Sequence, residues 1–147
     1  VFTAGLVIAS AAAAQALAAH AVGSAWWVPQ LALIALIRRM NHTPRAWLPL
    51  SVIAAAALMV WSIRGAGAIV VVLIAIGGAW RAAMWYWDVA DARLQAVAAG
   101  ISAAMLVGVT ATLDHAVSWP IVALIAWQAV WTAVAAIAWA AARPERA

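Results

Sequence analysis

The side chains able to do acid–base, metal or charge chemistry in this chain are few enough to name. The acids are Asp88, Asp91, Asp114 and Glu145, the histidines are His20, His42 and His115, and all eight basic residues are arginine. No acid falls at the middle of an apolar segment, where an ionisable group is functional by default. Proton relays, paired-carboxylate hydrolysis and carboxylate metal sites need acids near the interior, so this placement argues against an enzyme. No two histidines stand at i, i+3 or i+4, and there is no H-E-x-x-H. The absence of cysteine excludes disulfides, thiol chemistry and cysteine-ligated metals. The absence of lysine excludes a Schiff base, and with it a bound retinal.

Arg81 is the one charge expected inside an apolar segment. It lies between Trp80 and Trp85, the latter at i+4 on the same helical face. Two readings stand for it: a cation–π or snorkelling arrangement, or a guanidinium meeting a ligand acid group such as a tetrapyrrole propionate. "WDVADARLQ" (87–95) has the partial look D-x-x-x-A-R of a lipid-headgroup transferase. The further aspartates of that motif are missing, so Asp88 and Asp91 read as loop and cap residues before the next helix. "RAAMWYWDV" also fits a loose sterol-contact pattern that occurs often by chance.

Eleven tryptophans in 147 residues are the chain's most unusual feature. Trp127 and Trp131 are one turn apart, and Trp139 lies on the same segment. With Trp47, Trp80, Arg81 and Trp85 they form the candidate ligand set, an aromatic lining for a flat apolar molecule. The plainer alternative is an interfacial belt plus helix packing. Ala96, Gly100, Ala104, Gly108 and Thr112 make an i+4 ridge of small residues, on which another helix of this chain or of a second chain can approach closely.

These residues must be positioned by apolar helices. The chain is 70% hydrophobic and 8% charged, with a mean hydropathy of +1.07. A soluble domain of this length buries only ~70% of its unfolded surface, so lipid must be part of the solvent. Backbone in lipid has to bond internally, which makes the segments helices. Five are long enough to span: Phe2–Ala19, Arg45–Ile63, Ala66–Trp87, Leu94–Leu113 and Trp119–Ala142. The first resembles a signal-peptide core without a basic n-region and is read as a transmembrane helix.

"GSAWWVPQLALIALIRRM" (23–40) is harder to place. Trp27-Val28-Pro29 matches Trp47-Leu48-Pro49 and Trp119-Pro120, which mark helix starts. That predicts a helix from near Ala25. The length from Ser24 to Met40 gives only about 25 Å of helix at ~1.5 Å per residue. A short span and a re-entrant or interfacial helix both remain open, with regular spacing and tight loops favouring six spans over five. Arg38, Arg39, Arg45, Arg93, Arg143 and Arg146 share one side in either case, with Arg64 on the other, so the C-terminus is expected in the cytoplasm. The N-terminus is inside with six spans and outside with five. With six, His20 shares the outer surface with Asp114 and His115.

"TPRAWLPL", "GAWRAAMWYW" (78–87) and "WQAVWTAVAAIAW" (127–139) followed by "RPE" resemble motifs of the tryptophan-rich sensory protein, or translocator protein, family. The resemblance covers Pro44–Glu145. It implies five spans and a dimer that binds porphyrins and sterol-like lipids, and by position Trp47, Trp80, Trp127 and Trp139 carry over to the ligand site. A six-span count, with "VPQLALIALI" as a short second span, is instead similar to the small cell-shape proteins of the MreD type.

The expectation is therefore an all-α, polytopic membrane bundle of six or five transmembrane helices, a single domain over 1–147. It lies in a bacterial inner membrane; arginine in place of lysine beside so much alanine fits a GC-rich, actinobacterial type of genome. Its expected role is non-catalytic binding of an apolar aromatic or lipid-like ligand, with porphyrin or haem among the candidates. The alternative is a scaffold or accessory subunit. Expected partners are the lipid bilayer and a second copy or another membrane protein; nucleic acid and metal are not expected.

Overall fold

Gly23 ends the first helix, and Pro29 prevents the second from starting at once. Gly23 takes φ 77, the left-handed conformation natural to glycine at a helix C-terminus. Val28, held extended at φ −108 and ψ 126, obeys the restriction on a residue before proline. The helix expected from near Ala25 is consequently split. A single 3₁₀ turn occupies Ala25–Trp27, capped by the Ser24 side chain, and the second α-helix starts only at Leu31.

The structure is a computed structural model that describes residues 1–61, 66–114 and 118–142. Arg64, His115, Arg143, Glu145 and Arg146, and with them the "RPE" stretch, lie outside the described residues. The described residues form six α-helices: α1 Phe2–Val22, α2 Leu31–His42, α3 Trp47–Trp61, α4 Ala66–Ala83, α5 Ala92–Leu113 and α6 Trp119–Ala142. A 3₁₀ turn at Pro44–Ala46 leads into α3, and no strand occurs among them. Three helices, α1, α5 and α6, are long and apolar enough to cross a membrane; Pro44–Val60 and Gly67–Ala83 are apolar but shorter.

α4 stops at Ala83, four residues before the expected Trp87. Residues 84–91 are turns, so Trp85 and Trp87 sit on a loop rather than a helix. Asp91 then caps α5 as its position predicts, its carboxylate accepting from the Arg93 backbone N–H at 2.8 Å. Asp88 likewise accepts from the Ala90 N–H within the loop.

Consecutive helices run antiparallel. Gly100 of α5 lies against Ala129 and Ala133 of α6, Gly77 of α4 against Ser51 of α3, and Gln15 of α1 bonds Gln30 at the head of α2. α1 and α3 run parallel, with Gly5 beside Ile53. One end of the bundle, the upper end, holds residues 23–27 and the C-terminus of α5. The lower end holds the start of α1 and residues 43–46 and 84–91.

α2 is the core. It touches all five other helices, and Ala32, Leu33, Ile34, Ala35, Leu36 and Ile37 are each no more than 1% exposed. A helix apolar all round suits either a protein core or lipid, and the "LALIALI" side chains are enclosed by the five other helices. The outside of the bundle is apolar as well. Val130 and Ile137 of α6 and Val97 and Ile101 of α5 are all more than half exposed, a distribution that suits a lipid surround.

Candidate binding site

The break between α1 and α2 leaves backbone groups of residues 27–32 without helical partners, and polar side chains of the neighbouring helices take them up. From α6, the Trp131 indole N–H donates to the Trp27 carbonyl at 2.9 Å and the Gln128 amide donates to the Val28 carbonyl at 2.7 Å. The Thr132 hydroxyl accepts from the Gln30 backbone N–H at 3.1 Å. From α1, Gln15 accepts from the Ala32 backbone N–H at 3.3 Å and donates to the Gln30 side-chain oxygen at 2.7 Å. Gln128 and Thr132 are almost wholly buried, at 1% and 0% exposure.

These partners lie deep. Gln15 is about 10 Å along α1 from its upper end, and Thr132 about 20 Å along α6 from its own, at ~1.5 Å per residue. Extended backbone at such depth is tolerated only where protein side chains satisfy it. Gln128 keeps one buried atom, Oε1, without a hydrogen-bond partner among the described residues.

Beside this break lies a cavity of about 660 Å³, between α1, α3, α4 and α5. Ala16, Leu58, Ile69 and Leu106 supply apolar walls; Gln15, Gln30, Thr110 and His20 supply the polar groups. The size falls within the roughly 300–1,000 Å³ usual for small-molecule sites, as does the balance of apolar wall and few polar groups. Among the described residues no arginine or carboxylate lines it. Ala25 and Gln30 of the break face this cavity, while Trp26 and Trp27 line an apolar groove of about 530 Å³ with Leu124 and Trp127 of α6.

The residues expected to line one aromatic site fall in separate places. Trp47 packs across the α3–α4 contact, against Gly77 and Gly78. Trp80 is 6% exposed, donates its indole N–H to Asn41 Oδ1 at 2.9 Å, and lines a cleft of about 300 Å³ between α4 and α5 at the lower end. Arg81, in the last turn of α4, stacks on the Trp85 ring at 5.3 Å, although Trp85 has left the helix. Trp127 stacks on Trp131 at 6.1 Å and meets Trp27 edge to face at 5.5 Å. Trp139 packs against the core. The seven do not enclose a single cavity, so no seat for a porphyrin ring is built from them.

The small-residue ridge divides in two. Ala96 and Gly100 are buried, with a Cβ on Gly100 falling 2.9 Å from the Ala129 carbonyl, so this half serves α5–α6 packing. Ala104, Gly108 and Thr112 line an open groove, and nothing lies within 4 Å of where a Gly108 Cβ would stand. Among the described residues no group of three His, Asp or Glu is placed to hold a metal ion.

The amides and hydroxyls that build the site were not picked out by reading the sequence for charge. A signal was present: Gln128 and Thr132 stand at i, i+4 in an otherwise apolar helix, and all four glutamines of the chain bond across elements. Compared with family models, curated proteins and solved structures, the chain matches none of them.

Proposed function

We propose that this chain is a six-span inner-membrane protein that binds a small, largely apolar ligand, without catalysis, in the cavity beside the broken second helix. α2, running between residues 30 and 43 inside the bundle, supports six spans if the interruption above it completes the crossing. Arg38, Arg39, Arg45, Arg81 and Arg93 all belong to the lower end, which the positive-inside rule places in the cytoplasm. The cavity then opens toward the outer side. The observation that carries the reading is the pairing of a 660 Å³ space with a polar wall of uncharged groups deep in an apolar bundle. Arg81 lies at the opposite end from this space. With no arginine among its described lining residues, the space favours a ligand without acid groups over a porphyrin held by its propionates.

Saturable energy transfer from tryptophan to pyrene in lipid nanodiscs tests this. Wild type should show a saturable component that Ala16→Phe, which fills the cavity, removes. Equal, non-saturable transfer in both would overturn it. A scaffold role has one observation in its favour, the open upper half of the small-residue ridge at Ala104, Gly108 and Thr112.

A further inference from the structure

Resting on that cavity reading, we infer that the site selects neutral apolar molecules ending in a carbonyl group (ketone, ester or amide) over hydrocarbons.

The direction of the polar wall is set by the backbone. The Ala32 N–H can only donate, and it donates to Gln15 Oε1. That fixes which end of the Gln15 amide is oxygen, so its Nε2 faces Gln30 and donates to Gln30 Oε1. The Gln30 oxygen is thus turned into the protein, and its N–H₂ is the free end of the chain. Among the described residues no hydrogen bond uses Gln30 Nε2, and it is not among the atoms sealed from solvent. Two N–H donors remain at the cavity wall.

The Thr110 hydroxyl spends its proton on the Leu106 and Val107 carbonyls of its own helix, at 3.1 and 2.9 Å, and is left as an acceptor at the wall, so carbonyl binding rests on the Gln30 N–H₂. α2 directs the positive end of its dipole toward the same wall, since Gln30 is its N-cap residue. Linked amides polarise one another, which strengthens the terminal donor. Among the described lining residues there is no arginine or lysine, and burying a carboxylate without a counter-charge is costly. A carbonyl oxygen accepts both N–H groups without that cost.

Displacement of pyrene by undecan-2-one and n-undecane, at equal mole fraction in nanodiscs, reads this selectivity. The ketone should displace roughly tenfold more strongly than the alkane, the worth of about one net hydrogen bond. Gln30→Glu keeps an oxygen facing Gln15 and replaces the N–H₂ by oxygen, so the ketone should lose its advantage. Equal displacement by ketone and alkane in wild type overturns the selectivity while leaving the cavity reading intact. If pyrene itself shows no saturable component, the cavity reading is what fails. The wild-type comparison decides the matter even where Gln30→Glu does not fold.

Discussion

Adding one methyl group at Gly100 and at Gly108 should have opposite effects, although both glycines stand on the same ridge of α5. A Cβ at Gly100 falls 2.9 Å from the Ala129 carbonyl oxygen and 3.3 Å from the Ala133 Cβ. The oxygen belongs to the α6 backbone, so no side-chain rotation relieves the contact. α6 would have to retreat by about half an ångström to restore an ordinary separation of 3.4 Å. Overpacking of this kind costs about 1–3 kcal/mol. The gain in helix propensity from Gly to Ala offsets up to ~1 kcal/mol of it. The net expectation for Gly100→Ala is a loss of about 1–2 kcal/mol. Gly108→Ala meets nothing and keeps only the propensity gain, leaving it neutral or stabilised by up to ~1 kcal/mol. Reversible unfolding by added SDS in mixed micelles, followed by far-UV circular dichroism, measures both. Coincident transitions for the two variants would refute the division of the ridge.

The backbone clamp gives a second contrast: Thr132→Val strands the half-buried Gln30 N–H and should cost about 1 kcal/mol or more, while Thr110→Val, whose hydroxyl bonds only its own helix, should be nearly silent in the same unfolding assay. At the lower end, Trp80→Phe and Asn41→Leu should each destabilise, with a double-mutant coupling of about 0.5–1.5 kcal/mol for the 2.9 Å bond they share; additive effects would exclude that bond. For topology, the cysteine-free chain allows single labels. Thr3→Cys should resist an impermeant thiol reagent on intact cells and react after lysis, and Val22→Cys should react on intact cells. Labelling of Thr3→Cys on intact cells would remove the six-span arrangement.

The helical segments were legible because apolar length and interfacial Trp-Pro pairs set them, and α6 occupies the expected Trp119–Ala142. The Asp91 cap and the Arg81–Trp85 stack were legible too, since both depend on residues near in sequence. The second helix was not. Its length argued for a surface location and its Trp-Pro start for a span, and neither cue carries the fact that five other helices enclose it. The site was missed for a related reason. Charge was treated as the mark of function, whereas Gln15, Gln30, Gln128 and Thr132 are uncharged, and their partners are backbone groups up to 102 residues away. Conversely, the tryptophans drew attention by number, but Trp119 at 86% exposure and Trp85 at 74% face outward.

The clamp on residues 27–30 also bears on how the protein is made. Trp27, Val28 and Gln30 are synthesised about a hundred residues before Trp131, Gln128 and Thr132 exist to receive them. Until α6 leaves the ribosome, these polar backbone groups have only Gln15 close by. α2, at 12 residues, is too short to be held in lipid on its own merits. On the six-span reading, the nascent chain would keep this segment in a hydrated place, beside the insertion machinery or at the headgroups, and draw it inward last. Insertion would be completed from the C-terminal end backward, and a polypeptide arrested before α6 would expose a recognisable mark of incompleteness to quality-control proteases.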